Sequence, residues 1–530
     1  MSQSAVVERQ LDKTTNSVSP INRLPTEILV TIFEESIYTP ELDISEVPHI
    51  QKLHKLACVC LKWSMTIKET PSLWTVLEST TPKYLIPHIL QRSSQSSLVI
   101  KCCGVADQQA DSGFSAAYLQ AEELWTTIKA FLIIVFREIH RWRSALIRLS
   151  QADSEILEGL ERPAPLIKMV DINIDEYPQQ ESIILFAGQA SNLRTVCLSG
   201  LSFMSSPGQY PDLQHLNIST TPSGQLTLKD VLMTIKSAPY LQTLRLQFLQ
   251  MPVSQGEDGL GTFALNFLET LSLSGVSPPV IQAILTRIQA PALQQLTILP
   301  GHDGGGDSSW QFIKCIPHFL PMIHSSINHA SAVDISLSQR SVNIRTPLNH
   351  SDPHPHIEIS IDHNSSAHAL YIFLRNIIHH SISHTPIRLC IPQVPEIEWG
   401  DFCEILSSLD RVVELSTEER RGNYRRDLFR FLSAPLTESG RKKWPFPNLQ
   451  KLVLPSNTSG GQVVQLVKAR YGSGMWNNRA GGRARGAPCS LTTLDVGRVD
   501  LTPTQYAEIG KIVGYGVVRG EFGYSYIFDS

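Results

Sequence analysis

The sequence has few charged residues for its length, and neither sign of charge is in large excess. Charged residues make up 18% of the 530 residues, and the formal net charge is −4. Proteins that bind nucleic acid or an anionic membrane surface concentrate basic residues on one face. We therefore expect a nearly neutral surface that contacts other proteins, and neither a nucleic-acid nor a membrane partner.

Long apolar segments are also lacking. The best candidate, Ala130–Phe136, is followed by Arg137 and Glu138. It is far shorter than the ~20 residues that a membrane-spanning helix needs. The start of the chain is polar and lacks the apolar centre of a secretory signal. We expect residues 1–19 to form a disordered tail.

The cysteines do not form a pattern typical of disulfides or metal sites. There are nine of them, an odd number, and they are scattered along the whole chain. One residue separates Cys58 from Cys60, and Cys102 is adjacent to Cys103, whereas zinc and redox pairs have two intervening residues. We expect reduced thiols and a cytoplasmic and/or nuclear location.

Motifs of known catalytic chemistry are missing as well. The glycine-rich segment 301–307 lacks the Lys-Ser/Thr of a phosphate-binding loop. The histidines between 350 and 384 lack an accompanying cysteine pair or a helical His-Glu-x-x-His arrangement. The basic segment 478–486 has the composition of a solvated loop. We predict no catalytic, cofactor-binding or metal-binding residue and no enzymatic activity, and an α/β enzyme with an unrecognised site is the less favoured alternative.

The region from 20 to 80 has the pattern of three short helices. Pro25 suits the first turn of a helix, where its missing N–H costs nothing. Apolar residues then recur at helical spacing, at Ile28, Leu29, Ile32, Phe33 and Ile37. A second helical pattern begins near Ile50, and a third, which contains Val59 and Trp63, stops at Pro71. Three short helices bury only a small core, so leftover apolar surface faces either a partner or the next domain.

The order of residues in this region resembles the F-box family. The family's motif begins with Leu-Pro, continues with a Glu and with aliphatic and aromatic residues one turn later, and ends with a Val-Cys-x-x-Trp run and a Leu-Trp pair. The matching residues are Leu24, Pro25, Glu27, Ile28, Leu29, Ile32, Phe33, Val59, Cys60, Trp63, Leu73 and Trp74. The segment from Tyr38 to Pro48 is longer than in the compact form of the family. The resemblance covers about 55 of the 530 residues.

The resemblance implies docking on the small Skp-family adaptor of a cullin–RING (SCF-type) ubiquitin ligase. In the family, the Leu-Pro turn and the apolar helix faces make that contact. The residues at those positions here are Leu24, Pro25, Ile28, Leu29, Ile32 and Phe33. Four more carry over to the same contact but also suit the core of any three-helix unit, namely Val59, Cys60, Trp63 and Trp74. The alternative is that all of them are ordinary core of a larger domain.

A leucine-based repeat occupies much of the remaining chain. Its pattern is L-x-x-[LV]-x-[LI], and its leading leucines at 193, 213, 241, 268 and 293 are 20, 28, 27 and 25 residues apart. The pattern returns at Leu449 and Leu491. The last two apolar positions alternate, which predicts a short strand with one buried face, and the leading leucine turns into the core. This period is similar to that of leucine-rich repeats.

Weaker strand patterns extend the repeat in both directions. After residue 300 the leading leucine is lost, but we expect the same parallel sheet to continue through strands at 333–337, 357–361, 386–391 and 412–415. Before the clear repeats, strands are predicted at 98–100 and 146–149, with a helix between them at about 121–140.

The predicted fold is therefore α/β, with a small three-helix F-box-like module followed by a leucine-rich-repeat-like solenoid with a curved parallel sheet. The predicted segments are the tail at 1–19, the helical module at 20–80, irregular first coils at 81–190, clear repeats at 191–300, degenerate repeats at 301–445, and terminal repeats with a cap at 446–530. An ordinary α/β domain with alternating strands and helices is the alternative for the repeat region. A parallel sheet is expected in either case.

The resemblance implies that the chain is a substrate-recruiting subunit of such a ligase. The helical module would hold the adaptor, the concave face of the repeats would hold a target protein, and catalysis would reside in other subunits. The sequence does not identify the target. A non-ligase interaction scaffold built from the same two parts is the alternative.

Overall fold

The protein is α/β, with helices and a large, mostly parallel sheet. The computed structural model describes residues 19–37, 47–104, 114–176, 183–200, 210–219, 227–248, 261–300, 330–337, 341–346, 356–362, 385–391, 399–407, 409–417, 424–438, 441–454, 458–472, 488–497, 499, 501–514 and 518–519. The chain divides into two compact units, one of residues 1–259 with 263–268 and one of residues 260–262 with 269–530. Within the described ranges, no helix has the length and apolar character needed to cross a membrane.

Several sequence predictions fall on residues outside the described ranges. These are the disordered tail up to residue 18, most of the long insert after the first helix, the glycine-rich segment 301–307, the basic segment 478–486, and the histidines between 350 and 384 apart from His356.

The first unit begins with the three helices predicted from the sequence. They are α1 (Thr26–Ile37), α2 (His49–Ala57) and α3 (Leu61–Glu69), with 3-10 turns at Pro20–Arg23 and Pro71–Trp74 on either side. Proline lies directly before α1 and at the first position of the turn after α3, where its lack of an N–H is tolerated. A single small core joins the helices, and its buried members are Leu29, Phe33, Ile37, Leu53, Ile67 and Leu73.

In the described part of the first unit, seven parallel strands follow, each paired with the next along the chain. They are β1 (Val76–Glu78), β2 (Leu98–Cys103), β3 (Trp142–Gln151), β4 (Met169–Glu176), β5 (Thr195–Ser199), β6 (His215–Ser219) and β7 (Thr243–Gln247). Parallel pairing requires a crossover between strands. The helices that provide such crossovers are α4 (Ile86–Arg92), α5 (Phe114–Phe136), α6 (Ser154–Leu160) and α7 (Leu228–Lys236). The unit also contains β8 (Phe263–Ala264).

The alternation predicted for the clear repeats is present in the strands. In β5, β6 and β7 every second residue is buried, and the residues between them are half-buried or exposed. The leading leucines at 193, 213, 241 and 268 have no exposed surface. Pairing aligns Val196, Leu216 and Leu244 in one row across the three strands. Each strand therefore buries its inner face against the side chains of its neighbours.

The second unit contains the remaining described elements. In chain order they are β9 (Thr270–Val276), α8 (Pro278–Arg287), β10 (Ile288–Gln289), β11 (Gln295–Pro300), β12 (Val333–Leu337), β13 (Ser341–Arg345), β14 (His356–Asp362), β15 (Ile387–Ile391), α9 (Trp399–Ser407), β16 (Val412–Thr417), α10 (Tyr424–Ser433), β17 (Leu436–Glu438), β18 (Arg441–Lys443), β19 (Lys451–Val453), α11 (Gly460–Tyr471), β20 (Thr493–Asp495), α12 (Pro503–Val513) and β21 (Val518–Arg519).

The strand order in this unit differs from the predicted order. β12 and β13 form an antiparallel hairpin, β13 is also antiparallel to β14, and β14 pairs parallel with β11. β12 pairs parallel with β15, which continues the sheet through β16, β19 and β20. The prediction that 333–337 and 357–361 are successive parallel coils is wrong. Only residues 338–340 separate β12 from β13, and so short a connection permits a hairpin but no crossover.

A buried arginine links α11 to the end of α10 and to the segment before β19 in the second unit. Arg470 of α11 is 1% exposed. Its Nη2 donates to the carbonyls of Pro445 and Phe446 at 2.7 and 2.6 Å, and its Nη1 donates to that of Leu432 at 3.3 Å. The guanidinium also lies 5.6 Å from the ring centre of Trp444. Arginine suits this position because its planar fork presents several donors at once.

Arg470→Lys is expected to lower the free energy of unfolding by about 2–3 kcal/mol, because a single ammonium cannot satisfy carbonyls on two segments and leaves buried acceptors unpaired. Urea denaturation followed by circular dichroism measures the change. Lys468→Met, two residues away on an exposed position, is the control and is expected to change stability by less than about 1 kcal/mol. Equal effects of the two substitutions would refute the assigned role of Arg470.

Candidate functional site

The inner row of α1 belongs to the core of the helical module. Leu29 and Phe33, one turn apart, are both 0% exposed. The ring of Phe33 lies 4.8 Å from that of Trp63 on α3. Leu29 and Phe33 thus offer no surface to a partner in this structure, which corrects their assignment to a contact surface. Their burial follows from the spacing of four, which places them on the side of α1 that faces the other helices.

A second row on α1 remains exposed. Ile28 is 48% exposed and Ile32 is 36% exposed, and Pro25 at the start of the helix is exposed as well. These residues are three and four positions apart, so they lie on one side of the helix. Aliphatic side chains exposed in a row on one helix are typical of a helix that contacts another protein. We call Pro25, Ile28 and Ile32 the α1 face.

Further apolar side chains are exposed just before α3 and on α3 itself. Val59 is 54% exposed, Leu61 65% and Met65 49%. Sequence reasoning identified Val59 but missed Leu61 and Met65. Their spacing of four, out of phase with the inward-facing stripe at Trp63 and Ile67, is the signal that identifies them. Of the twelve exposed large apolar side chains in the described part of the chain, five lie between residues 28 and 65, so the helical module is the region richest in exposed apolar surface.

The turn before α1 is fastened to the start of α3. The ammonium of Lys62 donates to the carbonyls of Asn22 and Leu24 at 2.7 and 2.9 Å. The indole N–H of Trp63 donates to Asn22 Oδ1 at 2.9 Å, and the Cys60 thiol lies 3.7 Å from the same oxygen. Leu24, Cys60 and Trp63 are half-buried. Their contacts hold the Leu-Pro turn in place, so they position the α1 face.

Trp74 anchors the exit from the helical module. Its indole N–H donates to the carbonyl of Ile67 at 2.7 Å. The guanidinium of Arg92 lies 4.5 Å from the centre of its ring, a distance typical of a cation–π contact. Trp74 is half-buried and, like Trp63, connects elements of the fold.

A pair of shifted ionisable groups joins α2 to β1. Glu78 accepts a hydrogen bond from the backbone N–H of His49 at 2.7 Å, at the N-terminal end of α2, where a carboxylate is favourable. The ring nitrogen Nε2 of His49 lies 3.0 Å from the carbonyl of Leu73. Burial lowers the pKa of His49 and raises the pKa of Glu78. Both groups are bonded to the backbone, which gives them a structural role.

A cleft of about 530 Å³ lies beside this pair. His49 and Glu78 line it together with several hydroxyl groups and the buried Lys101. Pockets with pKa-shifted residues are candidates for catalytic sites. Here the His49 ring and the Glu78 carboxylate contact backbone groups rather than each other, so the geometry does not assemble an acid–base pair.

The outer face of the sheet at β5 and β6 is another open surface of the first unit. Thr195, Cys197, His215 and Asn217, which alternate with the buried residues of β5 and β6, are half-buried. Parallel sheets are usually covered on both faces. Side chains that retain access to water on one face leave room for a binding partner there.

Among the described residues, no cluster of three histidine, cysteine, aspartate or glutamate side chains has the arrangement of a metal site. No protein-family model matches the chain, and no curated protein matches its sequence. The function is therefore inferred from the surfaces described above and from the F-box-like motif.

The protein is expected to lose stability as the pH falls from about 7.5 to about 5.5, in part through His49. Its folded pKa lies below its ordinary value of 6.5, so the unfolded chain takes up a proton first and the folded state is disfavoured at acid pH. Glu78 acts in the opposite direction: with its pKa raised above 4.5, the folded state holds a proton more readily, and this contribution declines as the pH rises.

Thermal unfolding of the wild type and of His49→Gln across this pH range isolates the histidine, because both proteins keep Glu78 and glutamine keeps an N–H donor. The decrease in melting temperature on acidification is expected to be smaller in His49→Gln. His54→Gln, an exposed histidine on the same helix, is the control and should follow the wild type. A His49→Gln profile parallel to that of the wild type would contradict the assignment.

Proposed function

We propose that residues 20–80 dock on a Skp-family adaptor and that the chain is a substrate-recruiting subunit of a cullin–RING ubiquitin ligase. The observation that carries the proposal is the division of α1 into two rows. Leu29 and Phe33 complete the core of the module, whereas Ile28 and Ile32, at motif positions of the F-box resemblance, remain exposed. A helix that already completes the core of its module and still exposes a second apolar row is suited to binding a second protein.

The exposed apolar surface is sufficient for a useful contribution to binding. Covering the exposed half of an aliphatic side chain contributes about 1 kcal/mol. The α1 face, Val59 and the neighbouring Leu61 and Met65 offer several such side chains on a module of three short helices. A module with so small a core also gains stability when a partner covers it, because binding favours the folded state.

The proposed target site is the outer face of the repeat strands. That face is half-buried and polar in β5 and β6. Such a surface suits a transiently bound partner rather than a permanent subunit. Under this proposal catalysis belongs to other subunits of the ligase, and the target protein is held by strands far along the chain from the adaptor-binding helices.

The alternative is an interaction scaffold that uses the same surfaces outside a ubiquitin ligase. Adaptor binding that brings no cullin–RING subunits would favour this alternative. No specific contact in the cleft beside His49 and Glu78 favours an enzymatic function.

Replacing Ile28 and Ile32 together by Asp is expected to weaken binding of the full-length chain to a purified Skp-family adaptor at least tenfold, since both charges must be desolvated in an apolar contact. Surface plasmon resonance measures the dissociation constant. The control is Leu124→Asp with Leu166→Asp, two leucines of the same unit with 39% and 46% exposure, which should bind as the wild type does.

Two outcomes would defeat the docking proposal. One is a wild-type chain that does not bind the adaptor at all. The other is an Ile28/Ile32 variant whose affinity equals that of the control while circular dichroism shows both to be folded.

A further inference from the structure

A row of charges with alternating sign crosses the outer face of the sheet in the second unit. Six adjacent strands each contribute one charged residue, and the strand pairing places these residues side by side. In order across the sheet they are Glu358 on β14, Arg345 on β13, Asp334 on β12, Arg388 on β15, Glu414 on β16 and Lys451 on β19. We call these six residues the charge row. Each charge has neighbours of the opposite sign only.

The charge row has defined ends. At one end Glu358 is in register with Thr297 of β11, and at the other Lys451 is in register with Thr493 of β20. Beyond Thr297 the next position is Ser272 of β9. Hydroxyl side chains therefore occupy the corresponding positions on the same face on both sides of the row, and the charges are confined to one block of strands. A general need for a water-compatible sheet face does not account for this confinement.

Neighbouring charges hold each other in place and remain accessible. Arg388 donates twice to Asp334, from Nε to Oδ1 at 2.5 Å and from Nη2 to Oδ2 at 3.0 Å. These two side chains are still 40% and 43% exposed. The Lys451 ammonium lies 2.5 Å from a carboxylate oxygen of Glu414. Half-exposed ion pairs add little to stability, but charges fixed in a defined pattern discriminate strongly between partners.

The charge row borders a concavity of about 430 Å³ in the sheet face. The next row on the same face, two residues further along the strands, forms part of its lining with Asn343 and three small side chains, Ser336, Cys390 and Ser416, and these four are themselves in register. Small side chains beside fixed charges allow the backbone of another element to approach closely.

The spacing of the charge row selects the kind of element that fits. Adjacent strands are ~4.8 Å apart, so the row repeats at that interval. An α-helix returns a side chain to the same face once per ~5.4 Å turn, whereas an extended strand does so every ~6.8 Å. Over five steps the mismatch grows to about 3 Å for a helix and about 10 Å for a strand. Flexible lysine and arginine side chains absorb the first mismatch but not the second.

We propose that the charge row docks an α-helix of a partner protein, laid across the strands, with one charged side chain per turn in alternating sign. A partner of a single sign, such as nucleic acid or a polybasic peptide, would meet as many repulsive as attractive charges. The proposal rests on the proposed role of the repeat sheet in target binding. It does not involve the α1 face.

The test is a selection of displayed helical peptides of about 19 residues, which make five turns and so carry one position for each charge of the row, against the full-length chain. One position per turn is Glu, Lys or Ala. Peptides with alternating Glu and Lys are expected to be enriched. Their affinity should fall at least tenfold for Asp334→Arg with Arg388→Asp, a swap that keeps the net charge and the pair but places like charges side by side in the row.

The matched control is the swap Lys468→Glu with Glu508→Lys, an ion pair of 2.5 Å and of similar exposure in the same unit but outside the row. It should leave peptide affinity unchanged. A second variant, Asp334→Asn with Arg388→Gln, replaces the first if circular dichroism shows that the swap lowers the melting temperature, and the same tenfold loss is expected.

Enrichment of single-sign peptides, no enrichment of alternating ones, or equal affinity for the wild type and the row variants would overturn the proposal. Adaptor binding is measured on the same proteins. A failed selection with intact adaptor binding removes the helix-docking inference alone, whereas lost adaptor binding with a successful selection removes the ligase role alone.

Discussion

The structure depends on one constraint, which is that each strand of the clear repeats β5, β6 and β7 has two faces and only the inner face is fully buried. In β6, Leu216 and Ile218 are buried while His215 and Asn217 between them are half-buried. The inner residues require neighbours on both sides, because a single short strand cannot cover them alone. The outer residues are released from packing, so their chemistry can vary from strand to strand. The binding surfaces proposed above are built from residues that have this freedom.

The same division into inner and outer rows governs the helical module. Phe33 and Ile67 belong to a core that is too small to bury every apolar residue of the three helices. Ile28 is one of the residues left outside it. The side chains of Lys62 and Trp63 then fix the turn that precedes α1 by bonding to it. Core residues therefore set the orientation of the exposed row without contributing surface to it.

Local pattern was enough to predict much of this fold. The three N-terminal helices, the strands of the clear repeats and the burial of four of the five leading leucines follow from spacings within a few residues, whereas the fifth, Leu293, is half-buried. The sequence could not separate Leu29 from Ile28, since both are aliphatic and lie on adjoining stripes of one helix, and only the direction of α2 and α3 decides which stripe is inward. It also could not order β12, β13 and β14, because strand pairing joins residues distant in the chain. Asp334 and Arg388 are 54 positions apart, and their pairing becomes visible only once that order is known.

The reversed order of these three strands has a consequence for the outer face. Inserting β13 between β14 and β12 brings Arg345 between Glu358 and Asp334. Glu358 and Asp334 are thereby kept one strand apart, whereas like charges directly opposite each other on adjacent strands are destabilising. The hairpin thus adds a charge of the opposite sign between two carboxylates and lengthens the alternation. An apolar row on a helix supplies affinity with little selectivity, whereas alternating fixed charges supply selectivity with little affinity. Under the proposed function, the protein joins a constant partner to a chosen one and needs both, and in this chain the apolar row and the charge row lie in separate units.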